Sequence, residues 1–449
     1  MRILHYALGF PPYRSGGLTK YCVDLMKLQK RDGHSVALMW PGRMSVINKK
    51  VRITKCKKWN GISSFELINP LPVALDEGIL DVNAFTRKTQ SDVFFLFFND
   101  YKPDAIHIHT LMGLYSEFID VANKMNIKLV YTTHDYYGIC PKVTLFCNGN
   151  VCNDMECERC YVCNQSALSI NKITLLQSHF YKQLKNTALV KVLRRLHRQR
   201  FFDSEKKRLD VENSASNAHR YKELRRYYIK MLNHMDIIHF NSNTAAGVYF
   251  RYLTPKKYKV IQITHSDIKD NRRLKQFCGK ELKLTYLGPS KEFKGFFFLI
   301  DVLDKLWSEG ITGFKLKIFT TSIIDRPYIE FKGPGYNYSQ LNEIFDKTDV
   351  LISPSIWYET FGFTVLEALS YGVPVIISDR VGAQDIVSKI CSNSVLPLNK
   401  YAFANAIKEV HKNRDILREY NRKICSFDIL PKQLPYEELY KPEGDSDEC

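Results

Sequence analysis

The chain has 449 residues, more than a single hydrophobic core usually serves, so two domains are expected. Hydrophobic residues make up 45% and charged residues 25%, as in ordinary globular proteins; apolar runs such as 93–98 and 296–300 are too short to span a bilayer. A formal charge of +18 calls for an anionic partner, whether nucleic acid, an anionic membrane surface or a phosphorylated substrate.

The amino terminus, MRILHYALGFPP, reads as a short strand stopped by prolines and not as a signal peptide, so a soluble, cytoplasmic protein is expected. An amphipathic helix follows the loop GFPPYRSGGLTKY and runs to about Asp32. Gly16 and Gly17 stand at its mouth, where free backbone amides can meet an anion such as a diphosphate. Strands are predicted at 35–40, 51–56, 105–109 and 128–133 with helices between them, the alternation of a mostly parallel sheet. Ligands of such sheets sit beyond the carboxyl ends of the strands. His107 and His109 share one strand face, and His107 reads as a core histidine. His134 and Asp135, followed by Tyr136, lie past a strand end where a cleft should open.

Six cysteines come next: Cys140, Cys147, Cys152, Cys157, Cys160 and Cys163. In a reducing compartment such a cluster suggests a metal before disulfides. The C-x2-C-x2-C run of Cys157, Cys160 and Cys163, joined by Cys152, makes a candidate structural zinc site; reduced thiols filling a small core and an iron–sulfur cluster are the alternatives. Residues 168–235 are basic and helical. Leu189, Val192, Leu193 and Leu196 give that segment one apolar face, which suits an anionic membrane surface, or else a solvated helical insert. No helix-turn-helix, RNP motif, zinc finger or aromatic-basic platform supports nucleic-acid binding. The strand pattern resumes at 236–240, Asn241-Ser242-Asn243 caps a helix, and 260–263 closes this sheet.

A polar linker, 266–281, leads to a second strand–helix series from Leu282. Gly288 and Lys294-Gly295 mark a strand-to-helix switch where a lysine can reach phosphates. A helix at 338–348 and a strand at 349–353 precede Pro354, which ends the pairing. Gly362 permits close approach to a ligand; Val365, Leu366 and Leu369 mark a helix that Gly372 ends before the strand 373–378. Glu359 and Glu367 flank the turn, an arrangement suited to a phosphate carrying hydroxyl-rich groups on both sides. A further helix is expected at 401–420, and Asp445-Ser446-Asp447 spells D-x-D in what reads as a solvated tail.

Glu359-x7-Glu367 around Phe361-Gly362-Phe363, then Gly-Val-Pro-Val and Ser378-Asp379, resembles the E-x7-E signature of retaining glycosyltransferases of family 4, of the type that builds bacterial surface polysaccharides. The resemblance reaches over nearly the whole chain and is weakest over 150–232. It implies an α/β protein of the GT-B fold, two Rossmann-like domains facing across a cleft. The acceptor-side domain would be 1–265, with the cysteine-rich loop 140–163 and the basic insert 168–235. The donor domain would be 282–424, with a tail, 425–449, crossing back to the first domain. The implied reaction moves a sugar from a nucleoside-diphosphate sugar to a saccharide or lipid-diphosphate-linked acceptor, with retention and without a catalytic cofactor. His134, Lys294 and Glu359 would be catalytic. Gly16, Gly17, Lys291, Lys294 and the turn Phe361, Gly362, Phe363, Thr364 and Val365 would bind the donor, with Glu359 on its sugar and Glu367 on the ribose. Asp135 and Tyr136 would face the acceptor. Pro289 stands where the family has an arginine, so Lys291 would have to replace that charge. Family retention by front-face attack implies no protein nucleophile. An epimerase of the same fold and a nonenzymatic carbohydrate or membrane binder are the rival readings, and a position on the inner face of the cell membrane is expected.

Overall fold

The structure is a computed structural model that describes residues 1–14, 16–45, 47–178, 181, 214–320, 324–428 and 436–440. The amphipathic face expected at 189–196 and the Asp445–Asp447 tail lie outside them.

The first half builds one sheet from β1 (Arg2–Tyr6), β2 (Ser35–Pro41), β3 (Arg52–Trp59), β4 (Ile62–Ile68), β5 (Ala105–Ile108) and β6 (Lys128–Thr132). A short hairpin, β7 (Phe146–Cys147) and β8 (Asn150–Val151), stands apart, before β9 (Ile237–Phe240) and β10 (Tyr258–Val260) complete the sheet. Its order is β10-β9-β6-β5-β1-β2-β4-β3. Pairing is parallel except at the edge, where β3 runs antiparallel to β4. The strand expected at 51–56 is thus one arm of a hairpin whose second arm, β4, was not anticipated. Asn60 (φ 47°) and Gly61 (φ 76°) form its turn, and positive φ at both positions is what a two-residue hairpin turn demands.

The second half forms a wholly parallel sheet from β11 (Leu282–Tyr286), β12 (Phe314–Ile318), β13 (Ile329–Phe331), β14 (Val350–Ser353), β15 (Val375–Ser378) and β16 (Val395–Leu396). Its order is β13-β12-β11-β14-β15-β16. Central strands such as β15 are buried along their whole length, as parallel strands covered on both faces must be.

Loops beyond the carboxyl ends of the two sheets meet. Ser242 Oγ donates to Thr360 O (2.6 Å), Thr360 Oγ1 donates to His134 O (3.0 Å), and Gln384 Nε2 donates to Thr244 Oγ1 (2.7 Å). The segment 436–440 packs on the first sheet's domain, where Tyr436 donates to Asp32 (2.7 Å) and Lys259 pairs with Glu438 (3.1 Å). One apolar cluster joins Ile3, Tyr21 and Leu25 to Phe361, Val365 and Tyr440, so the halves share a core. No described helix is long and apolar enough to cross a membrane.

Candidate active site

One wall of the junction grows from the end of β14. Pro354 stops the pairing, and the following turn is clamped by its own backbone: Glu359 N donates to Arg380 O (2.8 Å) and Gly382 N to Glu359 O (2.9 Å). Gly362 (φ 98°) then turns the chain into the helix Phe363–Leu369, in a conformation and a space that exclude a side chain, since a Cβ would lie 2.7 Å from Val381 Cγ1. From the neighbouring strand end, a single 3₁₀ turn (Glu292–Lys294) carries Lys294 to the same place. Its Nζ lies 2.7 Å from Glu359 Oε1 and 4.9 Å from the centre of the Trp357 ring. The two side chains are 23% and 18% exposed, so the pair opens on solvent.

Glu367 lies on the helix that follows and is almost fully buried. Its Oε1 accepts from the Tyr338 hydroxyl and sits 3.7 Å from His265 Nε2. Burial, with the Glu367 charge beside it, holds the Tyr338 hydroxyl far above the usual phenol range. Glu367 Oε2 is buried with no partner among the described residues, a carboxylate oxygen suited to a ligand hydroxyl.

Across the junction, the helix Gly17–Arg31 begins at Gly16 without a side-chain cap or an acidic residue in its first turn, the end of a helix where backbone amides point outward. Lys20 pairs with Asp267 (2.9 Å) over the Tyr338 ring. Gly17 abuts the Phe363 ring, and a Cβ on it would stand 2.8 Å from two ring carbons. His134 is half-buried beside Tyr21, at a ring distance of 5.2 Å. Asp135 Oδ1 accepts from Tyr137 N (2.8 Å), and burial pushes its carboxyl up to about 6. Tyr136 is sealed under Trp357 and Tyr249 with its hydroxyl unpartnered among the described residues; burial, then the nearby Glu359 charge, raises its pKa well above the ordinary value.

Gly16, Gly17, His134, Lys294, Glu359, Phe361, Gly362, Phe363, Thr364, Val365 and Glu367 therefore line one junction. The Phe361 and Val365 side chains belong to its buried core, which leaves their backbone to any ligand. Lys291 bridges the same junction, pairing with Asp76 of the first domain (3.0 Å). The Cys157 and Cys160 thiols share a hydrogen bond, as do those of Cys163 and Cys147, and among the described residues no three cysteine sulfurs come within 4.8 Å of one another. A cation also ties this loop together: buried Arg225 donates to the carbonyls of Ile139 (3.0 Å), Asp154 (3.2 Å) and Met155 (2.8 Å). Lys20, His265, Asp267 and Tyr338 were missed by sequence reasoning. Lys20 was read as part of the loop before the first helix, His265 falls just before the linker and Asp267 at its start, and Tyr338 opens a plain helix, with no local pattern to mark any of them.

Comparison with known proteins adds three findings. The family model described as Glycosyl transferases group 1 matches residues 327–424, a span holding Glu359 and Glu367. A Klebsiella pneumoniae protein described as an uncharacterized 42.6 kDa protein in the cps region is 23% identical over 301 residues, covering 66% of this chain and 62% of that protein. The match thus spans less than two thirds of that curated relative. Sucrose-phosphate synthase from Thermosynechococcus elongatus superposes with a TM-score of 0.54 at 13% identity, over 98% of this chain and 96% of its own. WaaG, a glycosyltransferase involved in lipopolysaccharide biosynthesis, does so with a TM-score of 0.53 at 13% identity, over 97% and 98%. The fold is GT-B.

Proposed function

We propose that this chain is a retaining glycosyltransferase. It moves a sugar from a nucleoside diphosphate to a hydroxyl of a saccharide or lipid-diphosphate-linked acceptor in surface-polysaccharide assembly, at the inner face of a membrane. The observation that carries the reading is the Lys294–Glu359 pair (2.7 Å) at the mouth of the cleft, with Glu359 inside the segment matched by the glycosyltransferase family.

As the bond from the sugar's anomeric carbon to phosphate breaks, negative charge grows on the departing diphosphate. Lys294 meets that charge, assisted by the uncapped amides after Gly16. Glu359 holds the ammonium in position and keeps lone pairs for sugar hydroxyls. The free Oε2 of Glu367 takes a ribose hydroxyl. The acceptor oxygen forms its new bond on the face that the phosphate leaves, and the phosphate takes the acceptor's proton, so no protein nucleophile is used.

The test incubates the protein with a panel of sugar nucleotides, with and without lipid-linked saccharides. Acceptor-dependent transfer with the donor's anomeric configuration supports the reading. An inverted product refutes retention. Donor interconversion without acceptor identifies an epimerase, and binding without turnover a nonenzymatic protein.

A further inference from the structure

Eight hydrogen bonds join Ile261 to His134 through the interior of the first domain. They fall in line because the parallel register sets His5 beside His107 and Thr132 beside His239. A backbone carbonyl can only accept, so His239 donates from Nε2 to Ile261 O (2.7 Å). His239 Nδ1 is then bare and accepts from the Thr132 hydroxyl (3.0 Å), which in turn accepts from His107 Nε2 (2.7 Å). His107 Nδ1 accepts from Tyr440 (2.6 Å), whose oxygen accepts from Gln29 Nε2 (3.2 Å). The Gln29 carbonyl therefore faces His5 Nε2, which donates to it (2.7 Å). His5 Nδ1 accepts from His109 Nε2 (3.0 Å), and His109 Nδ1 from His134 Nε2 (3.3 Å).

This deduction needs each imidazole to carry one proton. Burial lowers His5 and His239 to about 4, His134 to about 3, and His107 and His109 well below the ordinary value, so all five are neutral at pH 7. His5, His107 and His109 each have a ring nitrogen within 4.8 Å of the others, a spacing that could suit a metal ion. Their nitrogens are already engaged, however.

We propose that this relay holds His134 as the Nε2–H tautomer and presents its bare Nδ1 to the cleft as an acceptor for a hydroxyl of the bound sugar or acceptor, with Gln29, Thr132 and Tyr440 as positioning residues. The one ring hydrogen bond of His134 among the described residues is made through Nε2, and the ring is only partly buried. That the ligand group is a sugar hydroxyl rests on the glycosyltransferase reading; the tautomer does not.

Nitrogen-15 NMR of the histidine-labelled full chain reads the tautomers directly. The five relay histidines are expected to be neutral Nε2–H forms. Thr132→Val cuts the link to Ile261 and would leave the His107 Nε2–H buried without an acceptor. His107 then shifts to Nδ1–H, the Gln29 amide turns over, and an Nδ1–H population appears at His134. Thr132→Ser keeps the wild-type pattern. If Thr132→Val does not fold, Tyr440→Phe cuts the chain beyond His107 and is read in the same way. An Nδ1–H His134 in the wild type, an unchanged His134 in the folded cut variant, or stoichiometric metal bound by the three histidines overturns the relay. Because no substrate is used, failure to transfer sugar in a separate assay would remove only the identity of the hydroxyl.

Discussion

Lys294 and Glu359 are 65 residues apart in sequence, yet their charged atoms are 2.7 Å apart. Gly295 makes this possible: a Cβ there would sit 1.8 Å from Pro354 O, so only glycine lets the Lys294 turn press against the start of the Glu359 turn. Lys294→Ala should lower transfer by roughly 10²–10³-fold, the loss typical of removing one preorganised donor to a developing anion. The pair is partly exposed, so stability should change by less than about 1 kcal/mol. Steady-state kinetics with a denaturant titration checks both; full activity would defeat the assignment.

Gly17→Ala drives a methyl into the Phe363 ring at the junction of the halves. Overpacking of this kind costs about 1–3 kcal/mol. Catalytic efficiency should fall about tenfold or more, and adding Phe363→Leu should restore part of it. No recovery in the double variant would mean that the two residues do not press on each other in solution.

Glu367→Gln keeps the shape of the side chain and an acceptor for Tyr338 but removes the charge and the free carboxylate oxygen. Nucleoside-diphosphate binding, measured by calorimetry, should weaken by about 10–100-fold, the value of hydrogen bonds to a charged group. Unchanged affinity would exclude Glu367 from the ribose site.

The five relay histidines make stability depend on pH. The unfolded chain protonates them below about pH 6.5. The folded chain does so only near 4 or lower for His5, His134 and His239, with His107 and His109 also well below the ordinary value. Unfolding therefore takes up protons in this window, and stability falls as pH drops from 6.5 toward 4, by up to about 1.4 kcal/mol per pH unit for each histidine. Asp135, raised to about 6, opposes this in part because the folded form is the better proton binder there. Denaturant unfolding at pH 7, 6 and 5 should show the decline; a flat profile would contradict it.

The wall that carries Glu359 was legible as structure because its signals are local. Strand end, turn, Glu359, Gly362 and the Glu367 helix follow within a few tens of residues, and each element has its own signature. His134 and the Gly16-Gly17 mouth were legible for the same reason, as strand-end and helix-start residues. The β3–β4 hairpin carried its Asn60-Gly61 signal and was still overlooked, since the segment was read as part of a parallel series. The cysteine run was read through its spacing, and only the fold adds Arg225, far along the chain, which donates to three carbonyls of that loop.

By itself, then, the sequence determined two α/β halves and the turn from Glu359 to Gly362, through periodicity and through residues whose backbone roles few others can fill. Tertiary structure alone decided which side chains meet. The order β9-β6-β5-β1, the return of Tyr440 and the tilt of Gln29 bring His5, His107, His109, His134 and His239 into one line. Such a line exists only as register between distant strands, and its proton order follows from a carbonyl at Ile261 that no local pattern marks.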